Sequence, residues 1–266
     1  MKQTGRSISG LRRSASSGEG RAGSFDGKRV AFFGGSFDPP HLGHLAVARA
    51  ALRALELDLV LFAPVGVQPL KVQDGEEGAA ASYADRRAMT RLAIAGERGF
   101  EISDADKPTA SGTPNYTLET LEKLRRAMPG CTLFFLMGAD SFLGLRQWHR
   151  AAEIPFAAAL VVASRPGQRL EDVKAALPAG LTMKAVKDGE TTRGGVEARA
   201  FAVRNEAGAS AELFLLPGLD EQVSASEIRE RLGMRDGLQA AEGDAALRAW
   251  LPEAVAGYVR EHGLYR

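Results

Sequence analysis

The chain has 266 residues, 45% of them hydrophobic and 25% charged, with a formal net charge of +1. That length supports one large domain with a sizeable core, and the near-neutral balance points to neither a nucleic-acid nor a membrane partner. No apolar stretch approaches the roughly 20 residues that span a bilayer. The single cysteine, Cys131, excludes an intramolecular disulfide and fits a reducing, cytoplasmic compartment.

Residues 1–27 are rich in Ser, Gly and Arg and poor in apolar residues. Such a segment buries too little surface to offset its ordering entropy, and it lacks the apolar core of a secretory signal. It is expected to be a disordered extension ahead of a single domain over 28–266. Arg29–Gly34 (RVAFFG) reads as a buried parallel strand ending in glycine, and Gly43–Glu56 carries an Ala/Leu-rich helical pattern. Asp58–Ala63 is a second strand, stopped by Pro64. Ser82 and Asp85 mark the start of a helix over Tyr83–Arg98 that places Arg86 and Arg87 on a solvated face. Phe100–Ile102, Thr132–Met137 and Ala157–Ala163 are further strands, with an amphipathic helix over Thr117–Met128. Leu181–Lys187 and Val196–Val203 alternate around the turn-rich DGETTRGG and read as an antiparallel hairpin inside an insert spanning 168–212. Glu212–Leu216 is the last strand, followed by helices around Ser226–Leu232 and Pro252–His262; Trp250 reads as core and His262 as structural. Strands alternating with helices imply an α/β fold, a parallel sheet covered by helices on both faces, with the hairpin around 181–203 added to one edge. Ligands bind such sheets at the carboxyl ends of the strands.

The loop after the first strand, Gly34–His44 (GGSFDPPHLGH), occupies that place. Gly34 and Gly35 let a ligand approach the backbone, and Ser36 offers a hydroxyl and main-chain N–H groups. Asp38 can fix the loop ahead of Pro39. With a helix beginning near Leu42, His41 and His44 stand at its N-terminus, where unpaired N–H groups and partial positive charge suit a phosphate. Two imidazoles there can donate to a phosphoryl group gaining charge. Metal ligation is the rival use of two histidines three apart, but no nearby Cys, His or Glu completes a set. A second segment, Val223–Leu232 (VSASEIRERL), offers Ser226 as an N-cap and Arg229 one turn inside; it is either a capped surface helix or a second phosphate cradle.

Together, GGSFDPPHLGH and VSASEIRERL resemble the nucleotidyltransferase superfamily marked by H-x-G-H. Within it the chain is similar to the bacterial nicotinate-nucleotide adenylyltransferases. APVGVQPLK, YADRRAMTRLAI, PNYTLETL, MGADSF, Trp148, SRPG and LPEAVAGYVREHGLYR follow in family order over residues 28–167 and 212–266. The resemblance implies a Rossmann-like fold and transfer of AMP from ATP, with Mg²⁺, to nicotinate mononucleotide, giving deamido-NAD and pyrophosphate without a covalent enzyme intermediate. It implies that His41 and His44 hold the α- and β-phosphates, that Ser36 binds nearby, and that Ser226 and Arg229 hold the outgoing pyrophosphate. Lys71 falls where the family carries a basic residue, although QPLK departs from its more usual Pro-Pro-His-Lys-like run. Gly138 and Asp140 would face the adenosine or ribose, and Arg165 the adenine side. Trp148 would stack on the pyridine ring, while Thr117 and the main chain around His149 would meet the nicotinate carboxylate. Nicotinamide mononucleotide is the competing acceptor, and a non-catalytic nucleotide-binding regulator the competing class. The intact His41 and His44 speak against the latter.

Overall fold

A computed structural model of the chain describes residues 25–69, 79–164, 170–219, 224–233 and 248–265. The first strands are β1 (Arg29–Gly35), β2 (Leu59–Pro64), β3 (Phe100–Ile102), β4 (Thr132–Gly138) and β5 (Ala159–Ala163). The others are β6 (Leu181–Arg193), β7 (Val196–Asn205) and β8 (Ser210–Leu216). The helices are α1 (Leu42–Ala54), α2 (Tyr83–Ala93), α3 (Thr117–Ala127), α4 (Ala139–Leu143), α5 (Ile154–Ala157), α6 (Leu170–Ala175), α7 (Ala225–Gly233) and α8 (Glu253–Glu261).

One eight-stranded sheet runs in the order β3-β2-β1-β4-β5-β8-β7-β6. The first six strands pair in parallel. β7 is antiparallel to β8, and β6 to β7. Successive strands leave β1 in opposite directions, β2 and β3 to one side and β4 and β5 to the other, so a crevice opens at the carboxyl ends of β1 and β4.

Strand side chains alternate between two cores because the sheet is covered on both faces. Ala31, Phe33, Phe62, Phe134 and Leu136 face α1, α2, α7 and α8 through Leu45, Met89, Ile228 and Val255. Val30, Phe32, Leu61, Phe135 and Met137 face α3, α4, α5 and α6 through Leu121, Phe142, Ile154 and Val173. Each large side chain fully buried in this way contributes about 1.5–3 kcal/mol relative to exposure. Cys131 is a free, half-buried thiol just ahead of β4, and burial pushes its pKa up.

The expected strands and helices are present, with shifted ends and one larger difference. DGETTRGG is not a turn: β6 continues to Arg193, and the reversal is confined to Gly194 and Gly195, at φ 53° and 76°. Two consecutive residues at positive φ make the tight turn that suits strand twist, and glycine adopts it without steric cost. The non-repeating DGE stretch is absorbed by a register shift between Ala185 and Glu190, with Asp188 at φ 58°. Residues 1–24 of the expected extension lie outside the described residues. Phe25 packs against the second core, and Gly27 N–H bonds the Gly130 carbonyl at 3.0 Å.

Candidate active site

β1 delivers the chain into Gly34 and Gly35, where a Cβ on Gly34 would lie 2.8 Å from Phe32 Cζ. Phe37 then takes a left-handed backbone (φ 47°) and buries its ring against Phe33 (5.5 Å, 88°) and Phe62 (5.7 Å). A bulky residue at positive φ needs support from its surroundings, and the loop has it. Arg86, only 2% exposed, donates to the carbonyls of Ser36 (2.7 Å), Val65 (2.8 Å) and Ala81 (3.2 Å). Arg229 of α7 donates to the Asp38 carbonyl at 2.7 Å. The buried Asp38 carboxylate accepts the N–H groups of Ala80 (2.7 Å) and Ala81 (3.1 Å). Arg86 is therefore no solvated helix residue, as its place beside Arg87 suggests; its buried guanidinium is satisfied by one nearby carbonyl, Ala81, and by two distant in sequence, Ser36 and Val65. Arg87 does reach solvent, paired with Asp104 at 2.7 Å.

His41 is the N-cap of α1 and 5% exposed. Its N–H donates to His44 Nδ1 at 3.1 Å, and the two rings lie 3.7 Å apart. The His44 ring also meets the Phe37 ring edge-on at 4.9 Å. Burial, reinforced by the charge of His41, holds the His44 pKa well below its ordinary value. With Nδ1 engaged as an acceptor, neutral His44 carries its proton on Nε2. No acidic side chain occupies the first turn of α1, so its N-terminal partial charge is not offset there.

Beside this loop lies a cavity of about 360 Å³. Gly34, Gly35 and Ser36 form its floor, and Asn115, Tyr116, Thr117, Phe135, Trp148 and His149 line its wall. Tyr116 packs on His149 (4.5 Å, 39°) and Trp148 on Phe135 (6.0 Å, 49°). Thr117 is both a helix start and a cavity residue. Ser36 Oγ donates to Gln68 Oε1 at 2.9 Å, so the hydroxyl is tied to the loop after β2. His41 and His44 stand outside this cavity, on the α1 side of the same loop.

Gly138 ends β4, next to β1 in the sheet, and Asp140 stands in α4 just after it; both lie outside the cavity. The space where a Gly138 side chain would stand is open for 4 Å. Lys71 and Arg165 fall outside the described residues. The helix cap in the second segment is Ser224 rather than Ser226: Ser224 Oγ accepts the Glu227 N–H (3.2 Å), and Glu227 accepts the Ser224 N–H (2.8 Å). This reciprocal pair needs Glu three residues after Ser, a spacing that Ser226 lacks. Ser226, within the first turn, accepts from Arg229 at 3.1 Å. Arg229 thus bonds both Ser226 and the Asp38 carbonyl, which joins α7 directly to the histidine loop.

Sequence reading missed Asp106. It lines the cavity 5% exposed, accepts from Thr120 at 2.5 Å, and its backbone carbonyl accepts the Gly66 N–H at 2.7 Å. Burial raises its pKa to about 6. In sequence it belongs to the polar run SDADK, which reads as a solvated loop. Only the pairing of β3 with β2 carries it under the end of β1.

A parallel sheet with a glycine-ended central strand, a histidine-capped helix and an arginine reaching back from a later helix defines a nucleotidyltransferase-type α/β protein. The model of the cytidylyltransferase-like family matches residues 32–231. Curated relatives named "Probable nicotinate-nucleotide adenylyltransferase" align along nearly their whole length. One from Neisseria meningitidis serogroup A is 35% identical over 238 residues, 90% of this chain and 98% of that protein. One from Thermus thermophilus is 35% identical over 240 residues, 90% of this chain and 100% of that protein. Nicotinic acid mononucleotide adenylyltransferase of Plasmodium falciparum, solved in complex with NaAD, shares the fold: TM-score 0.62 at 14% identity, over 90% of this chain and 97% of that one. The chain belongs to the cytidylyltransferase-like family and, within it, to the nicotinate-nucleotide adenylyltransferases.

Proposed function

We propose that this chain transfers the adenylyl group of ATP to nicotinate mononucleotide, releasing pyrophosphate and forming deamido-NAD in NAD synthesis. The observation that carries the reaction type is the His41–His44 pair at the N-terminus of α1, with His44 held neutral and Nδ1 engaged, which leaves its proton on Nε2. An oxygen of the mononucleotide phosphate attacks the α-phosphorus of ATP in line. The bond from that phosphorus to the oxygen bridging to the β-phosphorus breaks, and the electron pair leaves with pyrophosphate. No enzyme nucleophile takes part, so the protein's work is positioning and charge stabilisation.

In this reading His41, His44 and the α1 N–H groups donate to the α- and β-phosphates, and Gly34, Gly35 and Ser36 let the phosphates approach the main chain. Ser226 and Arg229 receive the departing pyrophosphate. Gly138 and Asp140 face the adenosine or ribose, Arg165 the adenine side, and Lys71 adds positive charge. The ring-lined cavity takes the acceptor: Trp148 stacks on the pyridine, and Thr117 with the main chain around His149 meets the carboxylate. Among the described residues no three His, Cys, Asp or Glu side chains converge as a metal-ligand set. Mg²⁺ enters with ATP as part of the co-substrate. We assign residues 28–266 to one domain and place the protein in the cytoplasm, a reducing compartment that suits its single cysteine.

The test mixes the protein with ATP and Mg²⁺, offers nicotinate mononucleotide or nicotinamide mononucleotide, and measures pyrophosphate. Release with the nicotinate form well above the nicotinamide form is expected. No release with either acceptor overturns the activity, and equal rates overturn the acceptor preference.

A further inference from the structure

Tyr265, next to the last residue of the sequence, is bonded to the histidine loop from 227 positions away. Its hydroxyl donates to Asp38 Oδ1 at 2.7 Å. Three donors therefore converge on one carboxylate that is 2% exposed: the Tyr265 hydroxyl and the Ala80 and Ala81 N–H groups. Asp38 directly follows left-handed Phe37 and lies three residues before His41. A rotation of its side chain would shift the chain that leads into the α1 cap. Burial and the Asp38 carboxylate push the Tyr265 phenol well above its ordinary range, so it remains a donor at any working pH.

The bond is also placed apart from the general packing of the C-terminal segment. Val255, Ala256 and Val259 of α8 are buried in the core, and Tyr258 of the same helix donates to Asp85 of α2 at 3.0 Å. These contacts anchor the segment without touching the loop. Tyr265 continues beyond the helix at a left-handed φ of 63°, a conformation uncommon for a residue of its size. A hydroxyl held this way, on a buried carboxylate inside the phosphate loop, has a local task that α8 packing does not require.

We infer that Tyr265 is a positioning residue for the reaction: its hydroxyl fixes Asp38, and through Asp38 the loop that sets His41 and His44. The inference rests on the activity proposed above. It also has a consequence that can be read without turnover, since the chain contains only four histidines and their ring signals can be followed individually.

The experiment compares the full-length chain with Tyr265→Phe, which removes only the hydroxyl, and with Tyr258→Phe, which removes the other hydroxyl bond of the segment. For Tyr265→Phe, kcat should fall about tenfold, the equivalent of one charge-assisted hydrogen bond, with the KM for nicotinate mononucleotide within twofold. The imidazole resonances of His41 and His44 should move. Tyr258→Phe should change neither kcat nor those resonances. In a His44→Ala background the further loss from Tyr265→Phe should vanish, because both act through one loop. Unchanged His41 and His44 resonances in Tyr265→Phe overturn the inference whether or not the enzyme turns over. Equal losses of kcat in both tyrosine variants also overturn it, because they would reflect general loosening. Absence of pyrophosphate release by the unaltered chain removes the activity alone, and the resonance comparison then decides the positioning role. Should Tyr265→Phe fail to fold, Asp38→Asn weakens the same bond while keeping the side-chain shape, and the same readouts apply.

Discussion

The two sides of the site are built differently. On the phosphate side, a loop of 11 residues is tied by part-buried polar bonds from three later segments: Arg86 on Ser36, Arg229 on the Asp38 carbonyl, and Tyr265 on the Asp38 carboxylate. On the acceptor side, Tyr116, Trp148 and His149 are half-buried or exposed and meet their neighbours mainly ring to ring. The contrast fits the tasks proposed for each side. Donors aimed at developing charge act best when they need no reorganisation at the moment of reaction. A wall that admits a flat ring gains from apolar area and stacking, which tolerate small displacements.

The largest test of this contrast is His44→Ala. It removes a held donor, and kcat should fall by about 10²–10³, measured as pyrophosphate release, with the far-UV circular dichroism unchanged. Near-normal turnover would show that the fixed side is not the reacting side. Trp148→Ala should act the other way round. We expect the KM for nicotinate mononucleotide to rise about tenfold and kcat to change by less than about threefold. A dominant loss in kcat would show that the ring wall also orients the reacting atoms.

Two buried groups should give the sides opposite pH signatures, measured by urea unfolding. His44 is harder to protonate folded than unfolded, so the unfolded state gains protons as pH falls below about 6.5. The phosphate side therefore loses stability with acidification. Asp106, with its pKa raised to about 6, is easier to protonate folded than unfolded. Its contribution is most favourable below the unfolded value and declines as pH rises from about 4 to 6. Asp106→Asn should accordingly stabilise the protein at pH 7.5 by about 1–3 kcal/mol and have little effect at pH 4. A destabilised variant at pH 7.5 would mean that the charged carboxylate is held by more than Thr120. The smallest effect is expected far from both sides. Arg193, beside the hairpin turn, pairs with Glu56 just beyond α1, and both side chains reach solvent. Arg193→Ala should cost under about 1 kcal/mol and leave kcat unchanged.

The phosphate side was more legible in the sequence than the acceptor side. Eleven ordered residues after an apolar strand announce the loop, because glycines, a proline pair and two histidines each do local work there. What secures the loop is not local. Arg86 reads as a surface residue until the Ser36, Val65 and Ala81 carbonyls are brought around it. Tyr265 lies beyond the expected Pro252–His262 helix and carries no local signal until Asp38 is beneath it. Asp106 reads as loop polarity until β3 pairs with β2. The strands themselves were recoverable because a doubly covered sheet demands continuous apolar runs. β6 was cut short because it is mostly exposed and carries no such run.

That exposed strand has a consequence for the protein at high concentration. β6 is the last strand of the sheet and 13 residues long, a shape that invites another chain to pair along it. Its course is interrupted where the register shifts between Ala185 and Glu190 around left-handed Asp188; Lys184 stands just before the break and Lys187 within it. A bend and two ammonium groups in mid-strand deny an incoming strand a straight, neutral template. The irregular DGE stretch thus makes β6 a poor template for edge pairing, a property separate from the chemistry at the carboxyl ends of β1 and β4.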